Sequence, residues 1–351
     1  MTGRTPFLSV VIRSKDEADR LRLTLASLEC QAADCEIVVV DDGSSDHTAQ
    51  VIAEMAGSLP ITGLRHEQAR GRSAASNAGA RAARGEVLLF HDGDTLFGPD
   101  SIAAHASLHA RSPGILVRGE TLHLRGTRLF RDPHAGAPWP DQADAVARRP
   151  ASELARLRVT LDQVRDDFAA IHARAEHGIY PGAGPRRLFE LEMEALETVP
   201  DCGVLWSAAC GSNLSVRRAD FLRSGGFNEA LDINEHRELA LRLVGQGTRL
   251  VPGRGARSYH MTHRSGWRDP LHDTAWEEVF LKAHPVPAVA LLSVFWASLS
   301  QSSPIPEAHR IGSLPELERA AKGETGLDYD VARGAIGARP LGTRFWRNGA
   351  A

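Results

Sequence analysis

At 351 residues the chain is long enough for one large domain or for a domain with a sizeable appendage, and 42% hydrophobic with 24% charged residues is ordinary globular composition. A formal net charge of −3 leaves no clustered basic excess, which argues against nucleic acid as a partner. Cys30, Cys35, Cys202 and Cys210 have neither zinc-ligand spacing nor the density of a disulfide scaffold, and no basic-then-apolar leader precedes the first strand; a reduced, cytoplasmic chain is expected.

Phe7-Leu8-Ser9-Val10-Val11-Ile12 is a β-branched run that predicts a buried strand, and Lys15-Asp16-Glu17 then leads into Leu21, Leu25 and Leu28 at helical spacing. Asp16 and its neighbours have the chemistry of helix caps. Glu36 to Val40 predicts a second strand running into Asp41-Asp42-Gly43, with a helix over Thr48 to Met55. A βαβ unit puts the C-terminal ends of its parallel strands on one rim, where open α/β sheets bind ligands, so Asp41 and Asp42 sit on that rim. Ile61 to Leu64 predicts a third strand. The small-residue segment Arg70 to Gly85 predicts a helix lying close to the sheet, with its arginines towards solvent or a ligand and Gly85 as its stop.

The apolar run Glu86 to Phe90 ends in His91-Asp92-Gly93-Asp94. Strand alternation puts Asp92 and Asp94 on the same side, with Gly93 free to turn or to approach a ligand. Such an anionic pair suits Mg²⁺ or Mn²⁺, which take their other ligands from water and substrate phosphates; a plain Asp-Gly turn accounts for the pair equally well in isolation. The order β-α-β-α-β-α-β is a nucleotide-binding layout. It lacks both the Gly-x-Gly-x-x-Gly turn and the phosphate loop ending in Gly-Lys-Ser/Thr.

Ser9 to Glu17, Val38 to Ser45, Arg72 to Gly85 and His91 to Asp94, followed after a gap by Gly211 to Arg218 and Ser224 to Glu229, resemble in order and spacing the family 2 glycosyltransferases. The resemblance covers residues 7–105 and 203–265. It implies an α/β fold of the GT-A type, Rossmann-like, with a mostly parallel sheet flanked by helices. It further implies a nucleotide-diphosphate sugar as donor, UDP placed first, and Mn²⁺ or Mg²⁺ as cofactor. Asp41 and Asp42 would contact base and ribose, Asp92 ribose or metal, and Asp94 the metal bridging the diphosphate; Arg13 and Arg72 belong to the same donor site. From Arg257-Ser258-Tyr259-His260-Met261-Thr262-His263, His260 would ligate the metal, with His263 as the second candidate.

One departure concerns the base. Where the family has Glu-Asp at the start of a helix, this chain has Glu235-His236, and in inverting members that aspartate takes the acceptor proton. Three readings stay open: His236 is the base, its ordinary pKa near ~6.5 suiting the task; Glu235 takes the role; or the acceptor needs no strong base.

Residues 1–105 thus read as a nucleotide-sugar-binding half and 201–265 as an acceptor-side half, separated by a mainly helical insert over 106–200 and followed by a helical extension over 266–351. Within the insert, Val117 to Leu129 predicts a strand pair at the sheet's edge, Asp132 to Trp139 a loop and Ser152 to Ala175 helix. Tyr180, Pro181 and Trp206 are candidates for the acceptor wall, Trp206 equally for the core. In the extension, Trp276, Phe280, Phe295 and Trp296 fall on helices, with a flexible Gly- and Pro-rich end from Gly323; it could cap the site, form a homo-oligomer or dock a partner. Val286 to Leu299, interrupted by Pro287, is too short for the ~20 residues a membrane span needs. It predicts a packed helix, with a peripheral membrane-binding face as the alternative. The expected activity is metal-dependent glycosyl transfer with inversion; the alternatives are a nucleotidyltransferase, for which Arg13-Ser14-Lys15-Asp16 lacks the glycines, and a catalytically degenerate GT-A domain that binds a nucleotide-sugar or a partner.

Overall fold

The computed structural model describes residues 7–31, 35–177, 188–263 and 270–348. Strict alternation along the first strands divides the apolar residues between two cores. Leu8–Ser14 (β1), Glu36–Asp41 (β2), Ile61–Arg65 (β3) and Val87–Asp92 (β4) pair in parallel in the order β3-β2-β1-β4. Val10, Ile12, Ile37, Val39, Val87 and Leu89 face one core, shared with the helices Ala18–Glu29 (α1) and Thr48–Met55 (α2). Val11, Val38, Val40, Leu88 and Phe90 face the other, shared with Arg72–Ala82 (α3).

The small residues of α3 do what the sequence suggests: a Cβ on Gly79 would stand 2.4 Å from Val11 Cγ1, so the helix seats directly on β1. Gly85 is not its stop. The helix ends at Ala82, and Ala83 is already extended. Gly85 is constrained instead by closeness, because its N–H donates to Ser9 Oγ at 2.8 Å and a Cβ would lie 2.5 Å from that oxygen.

After β4 come Thr95–Phe97 (β5), Ser101–Arg111 (α4) and Ile115–His123 (β6). The strand Asn213–Arg217 inserts antiparallel between β4 and β6, and Arg249–His260 runs parallel to β6 and antiparallel to β5. The sheet is therefore parallel over its first four strands and mixed beyond. The predicted edge pair over Val117 to Leu129 is instead a single strand in the interior of the sheet, followed by a short 3-10 turn at Arg125–Leu129. Arg118 and Glu120 give that stretch an edge-like pattern, yet both are buried because each is paired, Arg118 with Glu192 at 2.5 Å and Glu120 with Arg254 at 3.0 Å.

The expected loop over Asp132 to Trp139 contains a small hairpin, Phe130–Asp132 with Ala137–Pro138. Ser152 to Ala175 is helical but broken into Ala151–Leu157, Leu161–Asp166 and Phe168–His172, the second opened by a Thr160/Gln163 capping box. Trp206 belongs to the core: it is 2% exposed and packs on Phe280 at 5.9 Å. Tyr180 and Pro181 lie outside the described residues.

In the extension Trp276, Phe280, Phe295 and Trp296 are all buried, as are Val289, Leu291 and Leu292. The segment from Val286 to Leu299 thus offers neither a membrane nor a partner an apolar face. The end beyond Gly323 is helical at Tyr329–Ala335 and Gly342–Asn348 rather than irregular, anchored by Arg333 on Glu277 at 2.9 and 3.0 Å. Among the described residues no helix is long and apolar enough to cross a membrane.

Candidate active site

The parallel register sets Arg13 beside Asp92 and Ser14 beside Asp41 at the C-terminal rim of β1, β2 and β4. A cavity of about 580 Å³ opens there and brings together Arg13, Asp42, Arg72, Asp92 and Asp94. Asp41, Glu235, His236 and His260 are not in its lining.

Asp41 is 1% exposed, and both its oxygens are occupied: one accepts the Ser44 N–H at 2.8 Å, the other Arg65 Nη1 at 2.9 Å. It braces the turn after β2 and does not face the cavity. Asp42 does face it, while accepting from His66 Nδ1 at 2.6 Å and from the Arg70 and Gly71 N–H groups at 2.9 Å. Those bonds hold the start of α3, so Arg72 is presented to the same space.

Asp92 and Asp94 do not form a common claw. Strand β4 ends at Asp92, and Gly93 turns the chain into β5, so the alternation that would align the two carboxylates stops between them. Gly93 is required by space, since a Cβ there would meet Glu17 Oε1 at 2.6 Å and Ser14 Oγ at 2.8 Å. Asp92 accepts Arg13 Nε at 2.7 Å. Asp94 has other partners: its Oδ2 lies 2.7 Å from His263 Nε2 and 3.2 Å from His260 Nε2, and its Oδ1 accepts the Thr95 hydroxyl at 2.9 Å. His260 arrives opposite Thr95 through the antiparallel pairing of Arg249–His260 with β5.

Asp94, His260 and His263 each offer a ligand atom within 4.8 Å of the others. Burial would raise the Asp94 carboxyl, but His260 and His263 hold it well below the usual carboxylate range. Burial would lower His260, but Asp94 raises it above the ordinary imidazole value. Two imidazoles and one carboxylate fit a divalent first-row ion such as Mn²⁺; Mg²⁺ favours oxygen donors alone.

On the acceptor side, the helix Glu235–Gly245 starts after Asn234 in a left-handed conformation, φ 64°. Glu235 Oε1 accepts Arg13 Nη1 at 2.9 Å, so Arg13 bridges Asp92 and Glu235. Burial alone would raise Glu235; Arg13, then His236 and Arg72, carry it well below the usual range. His236 Nε2 lies 2.9 Å from Arg237 Nη1, and because guanidinium only donates, this nitrogen is the acceptor. Its Nδ1 is 3.7 Å from Glu235 Oε2, beyond hydrogen-bond distance. Burial, with the Arg237 and Arg13 charges, pushes His236 below the ordinary value against the pull of Glu235.

Sequence reasoning missed Arg20, Trp139 and Asp232 as cavity residues and read Glu17 only as a helix-start residue. Glu17 is raised well above the usual carboxylate range by burial and by Asp94 and Asp92. Arg20 is 3% exposed, donates to the Phe130 and Arg131 carbonyls at 2.7 and 2.8 Å, and lies 5.6 Å from the Trp139 ring. Asp232 accepts the Arg72 N–H at 3.1 Å from the acceptor-side loop. Their partners are distant in sequence, so no local spacing announces them.

This sheet, rim cavity and Asp-His-His cluster define an α/β protein of the GT-A type. The family model described as Glycosyl transferase family 2 matches residues 9–135, the segment that runs from β1 through β6. A validoxylamine A glucosyltransferase of Streptomyces hygroscopicus subsp. jinggangensis is 29% identical over 310 residues, 84% of this chain and 64% of that protein. The uncharacterized glycosyltransferase YfnE of Bacillus subtilis is 34% identical over 113 residues, 32% of this chain and 29% of its own length. The chain thus spans less than two thirds of these relatives. The mannosyltransferase PcManGT of Pyrobaculum calidifontis, solved with GDP-Man and Mn²⁺, aligns with a TM-score of 0.51 over 99% of this chain and 84% of its own at 17% identity, a likeness of fold.

Proposed function

We propose that the chain transfers a sugar, with inversion, from a nucleoside-diphosphate sugar to an acceptor nucleophile, using a divalent ion held by Asp94, His260 and His263. The observation that carries this reading is the joining of Arg13, Asp42, Arg72 and Asp92 to Asp94 and His263 around one rim cavity. The arginines suit a diphosphate, Asp42 a ribose or base donor group, and the ion would offset charge growing on the leaving diphosphate. The glucosyltransferase relative and the Mn²⁺ complex of PcManGT support a nucleotide-sugar donor and a divalent ion. Uridine, guanosine and thymidine donors all present an N–H that a carboxylate can accept, so UDP keeps first place only through the family resemblance.

For acceptor activation the geometry favours the third reading. The Nε2 lone pair of His236 is engaged by Arg237, and Glu235 is engaged by Arg13; both act as positioning residues. The test is a panel of UDP-, GDP- and dTDP-sugars with Mn²⁺, read by thermal shift and then by nucleotide release. A donor at 100 times its Kd stabilises by about 2.7 kcal/mol. Binding without release with every acceptor class tried would assign the chain to donor binding alone, and no stabilisation by any donor would refute the proposal.

A further inference from the structure

We propose that His123 is the positioning residue that fixes His260 as an Nε2 ligand of the divalent ion, by accepting the proton on His260 Nδ1. The inference rests on the metal-site reading above and deepens it. The parallel register of β6 with Arg249–His260 makes His123 the direct cross-strand neighbour of His260, and the two Nδ1 atoms stand 3.3 Å apart with ring planes at 85°. Between two facing ring nitrogens at that distance, one must donate and the other accept. His260 turns its Nε2 to Asp94 Oδ2 at 3.2 Å, the corner where the three ligand atoms converge. A neutral imidazole that ligates through Nε2 keeps its proton on Nδ1, so His123 Nδ1 is the acceptor.

Asp94 is backed in a matching way, since the Thr95 hydroxyl occupies Oδ1 and leaves Oδ2 for the ion. Ligating histidines ordinarily rest their second nitrogen on a carboxylate, carbonyl or water. Here a second histidine, His123, takes that place.

The experiment titrates Mn²⁺ alone into the full chain by calorimetry and records the visible spectrum of the Co²⁺ form, for wild type, His123→Phe, His123→Asn and His260→Ala. His123→Phe is expected to weaken Mn²⁺ by about 10–100-fold and to shift the Co²⁺ bands, while His123→Asn, whose side-chain oxygen can accept, recovers most of the affinity. A folded His123→Phe within about twofold of wild type, with Mn²⁺ lost in His260→Ala, would overturn the role of His123 and leave the metal site standing. Unchanged affinity in His260→Ala would instead overturn the site itself. Should His123→Phe not fold, ¹⁵N NMR of the Zn²⁺-loaded wild type decides: His260 protonated at Nδ1 supports the assignment, and coordination through Nδ1 refutes it.

Discussion

Glu235→Gln and His236→Ala together separate a general base from a positioning pair. Arg13 is 11% exposed and makes two charged contacts, 2.7 Å to Asp92 and 2.9 Å to Glu235. Glutamine keeps an oxygen for Arg13 but replaces an ion-paired hydrogen bond, worth about 1.5–3 kcal/mol, by one in which only the guanidinium is charged, at a cost of about 1–1.5 kcal/mol. The loss of about 1–1.5 kcal/mol loosens Arg13 on Asp92 and corresponds to roughly tenfold weaker donor binding. His236→Ala removes an imidazole whose lone pair already serves Arg237, so kcat is expected within a few-fold of wild type and the pH profile of kcat/KM keeps its acidic limb. Donor Kd is read by calorimetry with Mn²⁺, and kcat by nucleotide release once an acceptor is found. A fall in kcat of about 10²–10⁴-fold in either variant, with donor Kd unchanged, would refute the positioning reading; loss of the limb in His236→Ala would name the histidine as base.

Metal binding has a predictable pH sign. His260 titrates above the ordinary imidazole value and must lose its proton to ligate, so Mn²⁺ affinity should fall as pH drops through that raised value, by about tenfold per pH unit for one proton, and calorimetry that is flat between about pH 6 and 8 would contradict this. Asp94→Asn should abolish binding of Mn²⁺ alone, whereas Asp92→Asn should leave it near wild type and weaken the nucleotide-sugar instead; equal effects on Mn²⁺ would restore the shared claw. Arg333→Met leaves Glu277 buried without its partner and should cost about 3–5 kcal/mol in thermal or urea unfolding, with Glu277→Gln in the same chain recovering part of it.

The strands and their common rim are legible because alternation is a local property: Val10 and Val11 declare opposite faces without knowledge of any partner. What the sequence hides is pairing across distance. Asp41 sits where the rim predicts, but Ser44 and Arg65 consume it, and no spacing reveals that Arg65 at the end of β3 reaches back. Interior Arg118 and Glu120 disguise β6 as an edge because their neutralising partners lie far along the chain. The resemblance names Asp92, Asp94 and His260, with His263 second, as candidate metal ligands one at a time; the turn at Gly93 leaves Asp92 on Arg13 while both histidines converge on Asp94.

The substitution at position 236 has a local explanation that bears on its chemistry. A Cβ on Gly211 would stand 2.9 Å from His236 Nδ1, so the imidazole lies against bare backbone, and on its other edge it accepts from Arg237. Arg237 in turn holds Asn234 Oδ1 at 2.9 Å and the Ser207 carbonyl at 2.7 Å, fixing the left-handed entry into the helix. A flat, neutral ring fills this slot and leaves Glu235 as the carboxylate that meets Arg13. An aspartate would be too short to occupy both edges, and its charge would compete with Asn234 and Glu235 for Arg237 and Arg13. His236→Asp is therefore expected to disturb the Arg13 bridge before it restores any base, which is why the glutamine and alanine variants, rather than reversion to the family pattern, decide what this pair does.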